Sequence, residues 1–207
     1  MSSCIAQSLV RKLHLSTHDP LRIFFAIELN NELRAALSQL IDELKHEPWG
    51  HRVKWVYPEN LHVTLRFLGT TDPMLIPTLV EHTHKATKKI APFPLQLHNI
   101  RFFPSPTAPR AIAADIIPTS ELFELANALE EVSANLGFTP ETKPYLPHLT
   151  LGRIVHHHAP SLREELKLNT RPMEVDEIVL LNSEKTEYNQ TYAPLEYISL
   201  QTAKQSV

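Results

Sequence analysis

The sequence predicts an α+β fold built from two similar halves. Three observations support this prediction. Strand-like and helix-like segments are mixed without a regular alternation, one order of elements occurs twice, and 43% of the 207 residues are hydrophobic. A mixture of this kind favours largely antiparallel sheets, and a chain of this length can bury a core of its own.

The first half begins with a buried strand and an amphipathic helix. Residues 22–29 are mostly apolar, as is typical of a buried strand, and Asn30 and Asn31 then offer side chains that can cap a helix. Apolar residues follow at the spacing of three and four that lines one helical face: Leu33, Ala36, Leu37, Leu40, Ile41 and Leu44. We expect strands next at residues 53–57 and 61–69.

The second half repeats this order. A strand-like segment at residues 110–117 is followed by Thr119 as a candidate cap, by a second apolar stripe over residues 122–136, and by Gly137 as a helix terminator. The first strand precedes His62 by 40 positions in one half and His148 by 38 positions in the other. This matched spacing indicates an internal duplication. Pseudo-twofold symmetry would then allow both histidine strands to face a shared central cleft.

The remaining segments complete the two lobes. A helix is expected at residues 75–90, strands at residues 93–102, and a late pair of strands at residues 173–181 and 194–200.

Composition limits the possible functions. The formal net charge of −3 and the pI near 6.5 argue against a protein that coats nucleic acid through bulk electrostatics, so any nucleic-acid substrate would have to be held locally. Cys4 is the single cysteine, which excludes an intramolecular disulfide framework and fits a reducing compartment. No segment has the roughly 18 to 20 apolar residues of a membrane span. We expect a cytoplasmic monomer without a membrane partner.

Two tripeptides carry the candidate chemistry. His62-Val63-Thr64 and His148-Leu149-Thr150 each lie in an apolar strand-like segment. Cleavage of a phosphodiester requires one proton to be taken and one to be given at the same phosphorus, and two imidazoles can do both. A threonine hydroxyl beside each ring can donate a hydrogen bond to a phosphate oxygen. The pattern His-x-Thr is expected about once by chance in this composition, so the matched context in both halves is the stronger argument.

Strict strand alternation predicts which residues share a face with the histidines. His62, Thr64 and Arg66 would point one way, and Leu65 and Phe67 the other.

The same alternation sends Arg153 away from His148. Arg153 would reach the site only if the strand ends or bulges near Gly152. Arg66 is therefore the reserve candidate for a phosphate-binding cation.

Several segments resemble one known family. They are LRIFFAI (21–27), WVYPENLHVTLRFLG (55–69), LGFTPE (136–141) and PHLTLGR (147–153). In these segments the chain is similar to the two-histidine (2H) phosphoesterase superfamily, and specifically to the RNA 2',3'-cyclic phosphodiesterases once called 2'-5' RNA ligases. The resemblance covers roughly residues 21–200. We accordingly expect an N-terminal extension at residues 1–20 and one 2H domain at residues 21–202.

The resemblance implies a fold, a reaction and roles for five residues. The fold would be bilobal, with flanking helices and a central cleft. The reaction would be hydrolysis of a 2',3'-cyclic phosphate on RNA or a nucleotide to a 2'-phosphomonoester, with no metal and no cofactor. His62 would donate a proton to the departing 3' oxygen and His148 would activate water. Thr64, Thr150 and Arg153 would bind the phosphate.

Other functions remain open at this point. The chain could be a non-catalytic module that binds RNA ends or cyclic nucleotides, or a 2H enzyme for another substrate, such as 2'-5' linked RNA or an ADP-ribose cyclic phosphate. The same acid and base could also run the reaction in the ligase direction. A run of three histidines, 156–158, does not suggest a metal site, because consecutive residues do not converge on one ion.

Overall fold

The computed structural model describes residues 19–105, 109–155, 168, 170–185 and 190–201. Most of the expected N-terminal extension and the histidine run 156–158 lie outside the described residues. Within the described part of the chain, no helix is long and apolar enough to cross a membrane.

The described residues form ten strands and three α-helices. The strands are β1 (Leu21–Glu28), β2 (Val53–Trp55), β3 (His62–Thr71), β4 (Phe93–Leu95), β5 (Leu97–Phe103), β6 (Ala111–Ile116), β7 (His148–Ile154), β8 (Met173–Val175), β9 (Glu177–Lys185) and β10 (Gln190–Ser199). The helices are α1 (Asn31–Lys45), α2 (Ile76–Thr87) and α3 (Ser120–Asn135), and short 3-10 helices cover Gly50–Arg52, Pro58–Asn60 and Pro73–Leu75.

Local sequence signals determine where the helices begin and end. The side chain of Asn30 accepts a hydrogen bond of 2.8 Å from the backbone N–H of Leu33 and caps α1. Thr119 caps α3 in the same way, through a 3.2 Å bond from the N–H of Leu122. Gly137 ends α3 with a φ of +87°, a conformation that glycine adopts without strain. Both predicted caps and the predicted terminator are confirmed.

One eight-stranded antiparallel sheet contains both halves. Its order is β10-β9-β1-β3-β7-β6-β5, with β2 paired to the outer part of β7, and a separate two-stranded sheet consists of β4 and β8. The halves meet where β3 and β7 pair at Val63 and Leu149. The predicted α+β class with mostly antiparallel sheet is confirmed.

The core lies on the helical side of this sheet. The buried stripe of α1, Leu33, Leu37, Ile41 and Leu44, and the buried side chains of α2 and α3 join the strands in one apolar cluster. The opposite side has a smaller buried cluster that consists of Phe24, Ala26, Val179 and Leu181, with Tyr192 packed against it. We call the side that carries this second cluster the site face.

The strands expected at residues 93–102 are confirmed as two, and the single strand expected at residues 173–181 is divided in two. The segment 93–102 forms β4 and β5, because the chain turns at Gln96 and leaves its pairing with β8 to pair with β6. The side chain of Thr170 bonds the N–H of Leu97 at this turn. The segment 173–181 is divided in the same way at Asp176. Tertiary pairing, which local pattern does not encode, sets these breaks.

Both histidine strands contain a bulge at the same place. In the first half Ala26 pairs with Thr64 but Phe25 pairs with Arg66, so Leu65 is an extra residue in β3.

In the second half Ala113 pairs with Thr150 but Ile112 pairs with Gly152, so Leu151 is the extra residue in β7. The first seven residues of β3 and all of β7 show the same order of buried and exposed side chains. The shared irregularity supports the duplication inferred from the sequence.

Candidate active site

The two bulges decide which side chains reach the site face. Before the bulge, His62 and Thr64 of β3 lie opposite Glu28 and Ala26 of β1. The inserted residue reverses the alternation, so the next residue on the same face is Phe67, opposite Phe24.

The second strand follows the same rule. His148 and Thr150 of β7 lie opposite Asp115 and Ala113 of β6, and after the bulge Arg153 lies opposite Ala111. Arg153 therefore shares a face with His148 and Thr150, because the strand bulges near Gly152 as the sequence argument required.

His62 is held by its own backbone and by aromatic rings. Its Nδ1 lies 2.7 Å from the carbonyl oxygen of Asn60, and its Nε2 lies 3.1 Å from the hydroxyl of Thr64. Because a carbonyl can only accept, Nδ1 carries a proton and Nε2 is the nitrogen that exchanges one. The rings of Phe24 and Tyr192 pack against the imidazole at centroid distances of 5.0 and 4.9 Å.

His148 is oriented in the same manner. Its Nδ1 donates to the carbonyl oxygen of Leu146 at 2.8 Å, again two residues earlier in the chain. The ring of Phe103 stacks on the imidazole with centroids 3.9 Å apart and planes 15° apart. The two imidazoles are therefore in the same tautomer, with the proton on Nδ1 and the free lone pair on Nε2.

Burial and neighbouring charges lower the pKa of both imidazoles. For His62 the main cause is burial, which disfavours the charged form, and the charges of Arg153 and His148 lower the pKa further. The hydrogen bond to Asn60 opposes this shift. The charge of His148 is the smallest of these causes.

For His148, burial is again the main cause of the lowered pKa. The hydrogen bond to Leu146 raises the pKa, Arg101 lowers it, Asp115 raises it and Arg153 lowers it. The charge of Arg153 thus lowers the pKa of both imidazoles.

Thr64 and Thr150 lie opposite small residues in the strand pairing. Their partners across the strand pairs are Ala26 and Ala113, the smallest side chains available apart from glycine. The hydroxyl of Tyr145 also donates a 3.1 Å bond to the backbone carbonyl of Thr64 and fixes this part of β3.

The predicted facing of Arg66 is wrong. The bulge turns Arg66 to the helical side, where it is only 7% exposed and its Nε lies 2.7 Å from Oε2 of Glu130 on α3. Its Nη2 also donates to the carbonyl of Thr139 at 2.6 Å. Arg66 therefore ties β3 to α3 and does not contribute a cation to the site face.

The predicted facing of Phe67 is wrong for the same reason. Alternation assigned this ring to the core, but it lies on the site face and is 44% exposed.

Sequence reasoning did not identify four neighbours of the histidines. Tyr192 and Phe103 supply ring contacts, and Arg101 and Asp115 form an ion pair between β5 and β6 beside His148. Asp115 was visible as the one charged residue inside the apolar segment of β6, which is a signal for a polar role. The other three come into place only through strand pairing.

The described residues contain no group of three or more histidine, cysteine, aspartate or glutamate side chains placed to hold a metal ion.

Comparisons with known proteins identify related chains. The family model of the 2'-5' RNA ligase superfamily matches residues 33–187. The RNA 2',3'-cyclic phosphodiesterase of Thermotoga maritima is 30% identical over 66% of this chain and 72% of its own length. The RNA 2',3'-cyclic phosphodiesterase of Methanothermobacter thermautotrophicus is 29% identical over 86% of this chain and 98% of its own length.

A solved structure has the same fold. The crystal structure of E. coli LigT complexed with 3'-AMP superimposes with a TM-score of 0.76 at 27% identity, covering 88% of this chain and 99% of LigT.

Proposed function

Because the chain belongs to the 2'-5' RNA ligase superfamily, we propose that it hydrolyses the 2',3'-cyclic phosphodiester of RNA ends or nucleotides to a 2'-phosphomonoester. Relatives named RNA 2',3'-cyclic phosphodiesterase support this choice of substrate. The observation that carries the proposal is the matched pair of imidazoles on one sheet face. Each has its Nδ1 bound to a backbone carbonyl and its Nε2 left for proton exchange.

In the proposed reaction the two histidines act on opposite sides of the phosphorus. Nε2 of His148 takes a proton from water as the water oxygen bonds to phosphorus. The bond from phosphorus to the 3' oxygen breaks, and Nε2 of His62 gives that oxygen its proton. Phosphorus remains bonded to the 2' oxygen, so the product is a 2'-phosphate. The protons balance, since one is taken and one is given.

Three further residues would hold the phosphate. Thr64 and Thr150 would donate hydroxyl hydrogen bonds to its nonbridging oxygens, and Arg153 would offset the charge that develops on them. All three lie on the site face with the histidines.

The lowered pKa values of the two histidines are consistent with a site that binds an anionic substrate. Without substrate, burial favours the neutral form of both rings. A phosphodiester placed between them brings one negative charge, which raises the pKa of each imidazole and favours protonation of the ring that must act as the acid. Substrate binding would therefore help to create the one-acid, one-base state that the reaction needs.

Hydrolysis of a nucleoside 2',3'-cyclic monophosphate in EDTA tests the proposal. We expect the protein to form the 2'-monophosphate without added metal. His62→Ala and His148→Ala should each lower kcat by about 10² to 10⁴, the usual contribution of a general acid or base. His82→Ala, which removes an exposed histidine from α2, is the matched control and should keep full activity.

Two results would reject the proposal. One is unchanged substrate recovered from a tight complex, which would indicate a binding module without catalysis. The other is turnover that survives the combined His62→Ala and His148→Ala substitutions, which would place the chemistry elsewhere.

A further inference from the structure

Four basic residues lie where β2, the outer part of β7 and the start of β6 meet. Lys54 of β2 is directly opposite Arg153 of β7 in the strand pairing. The backbone carbonyls of Arg52 and Arg110 accept hydrogen bonds from N–H groups at and just after the end of β7, so both residues adjoin this strand. We call Arg52, Lys54, Arg110 and Arg153 the basic cluster.

Lys54 lies on the site face beside Arg153. Opposite residues of an antiparallel pair share one face of the sheet, and Arg153 lies on the site face. The neighbours of Lys54 in β2 agree with this facing, because Val53 is buried in the core and Trp55 packs against the core from the helical side. Lys54 and Arg153 are both exposed. The site face therefore extends onto β2, where it has a second cation next to the first.

The basic cluster has no compensating acidic group in the described part of the chain. The segments that form it, residues 50–57, 109–114 and 149–155, contain no aspartate or glutamate. None of its four side chains takes part in a salt bridge between described residues. Like charges that lie directly opposite each other destabilise a strand pair. A local excess of positive charge in a chain with a net charge of −3 therefore indicates a binding site for an anion.

The charge of the basic cluster exceeds that of one cyclic phosphate. Under the proposed function Arg153 pairs with the phosphate that is cleaved, and a phosphodiester carries one negative charge. Lys54 then remains without an anion, although opposite residues have Cβ atoms only about 5 Å apart. An RNA strand supplies one further phosphate for each nucleotide on the 5' side of its cyclic end. Lysine binds a phosphate as a point charge, whichever base is attached to that nucleotide.

We infer that Lys54, with the rest of the basic cluster, binds phosphodiesters on the 5' side of the cyclic phosphate, so that the site favours the end of an RNA strand over a single nucleotide. The inference rests on the proposed function for the position of the cyclic phosphate. It adds a substrate class to that function, and it assigns to Lys54 a contact with the RNA backbone that does not depend on base sequence.

Hydrolysis of two substrates in EDTA compares one phosphate with several. They are adenosine 2',3'-cyclic monophosphate and a short oligoadenylate with the same cyclic end, and the oligoadenylate should have the lower KM. Lys54→Gln should raise the KM of the oligoadenylate by about 2- to 10-fold, the effect of losing one charged contact, and should change that of the mononucleotide much less. Lys54→Arg should retain the preference. Lys88→Gln, which removes an exposed lysine at the end of α2, is the matched control.

Binding gives a measurement that does not depend on hydrolysis. Fluorescence anisotropy uses a fluorescein-labelled oligoadenylate that ends in a 2'-phosphate, which is the proposed product and is not consumed. Affinity should fall as the salt concentration rises. Lys54→Gln should reduce the slope of log affinity against log salt concentration by about 0.7, the value for one phosphate contact on a single strand.

Uncharged linkages identify the phosphate that Lys54 contacts. In separate oligonucleotides the first or the second phosphodiester from the 2'-phosphate end is replaced by a methylphosphonate, which has no charge. The effect of Lys54→Gln on affinity should vanish for one of the two.

The outcomes separate this inference from the proposed function. Equal effects of Lys54→Gln on the mononucleotide and the oligoadenylate would overturn the inference even if hydrolysis is observed. An effect on binding that persists with both uncharged linkages would also overturn it. Salt-dependent binding that Lys54→Gln weakens, without any hydrolysis, would overturn the proposed reaction and keep the basic cluster as a binding site for the RNA backbone.

Discussion

The ion pair beside His148 should allow the pKa of this histidine to be raised or lowered by single substitutions. Arg101 and Asp115 bond each other across β5 and β6, and Asp115 is the residue directly opposite His148 in the strand pairing. Their charges act on the imidazole with opposite signs: Arg101 lowers the pKa of His148 and Asp115 raises it. Removal of either partner leaves one unit charge uncompensated.

The sign and size of the effect follow from Coulomb's law. In Asp115→Asn the guanidinium of Arg101 acts alone, so it disfavours the imidazolium and lowers the pKa of His148. In Arg101→Gln the carboxylate of Asp115 acts alone and raises the pKa of His148. Directly opposed residues have Cβ atoms about 5 Å apart, so we take about 6 Å between the charges. At an effective dielectric constant of about 40 the energy is about 1.4 kcal/mol, which moves the titration midpoint by about one pH unit.

NMR titration of the imidazole signals measures this directly. The His148 signal is identified by its loss in His148→Ala. Glu28→Gln is the matched control, because Glu28 lies opposite His62 in the equivalent position and bonds the hydroxyl of Tyr197 instead of a cation. The His148 midpoint should move down in Asp115→Asn, up in Arg101→Gln and stay in place in the control. Shifts of the same sign in both variants, or none, would refute the reasoning.

Two further predictions separate structural residues from the proposed site. Gly152→Ala should lower the free energy of unfolding, measured in urea, by about 1 to 3 kcal/mol, because the added Cβ would lie 2.4 Å from Cγ1 of Val53. Adding Val53→Ala should restore part of this loss. If the losses of the two single variants simply add in the double variant, the explanation is contradicted. Glu130→Gln should lower the free energy of unfolding by about 2 to 4 kcal/mol, because the buried Arg66 loses its carboxylate, and should leave KM unchanged. Arg153→Gln should do the opposite: it should raise KM and leave the free energy of unfolding unchanged. Equal kinetic losses in Glu130→Gln and Arg153→Gln would contradict the assignment.

Local signals in the sequence were enough for the helices and for the order of elements. Asn30, Thr119 and Gly137 act within one turn of the helix they bound, so their effect does not depend on the rest of the fold. The same holds for the apolar stripes, whose spacing fixes the buried face of each helix. These features were predicted correctly because the interactions that create them are short in sequence.

The site face depended on an irregularity that a single strand does not reveal. Gly152 hinted at a bulge in β7, but the sequence around Leu65 gave no comparable hint, and strict alternation therefore placed Arg66 and Phe67 on the wrong faces. A bulge is a property of the pairing between two strands, and that register is set by the whole sheet. The contact of Tyr192 with His62 is hidden for the same reason, since 130 positions separate them.

The two halves share a scaffold and differ in the groups placed on it. Backbone carbonyls two residues earlier fix both imidazoles in one tautomer, so tautomer alone cannot decide which histidine is the acid. The differences lie at equivalent positions: Glu28 against Asp115 opposite the histidines, and Phe67 against Arg153 after the bulges. In the proposed reaction one imidazole must be protonated while the other is neutral. Two equivalent environments would not favour different protonation states. The proposed reaction needs two unlike partners, and these positions give the two histidines unlike neighbours on a shared scaffold.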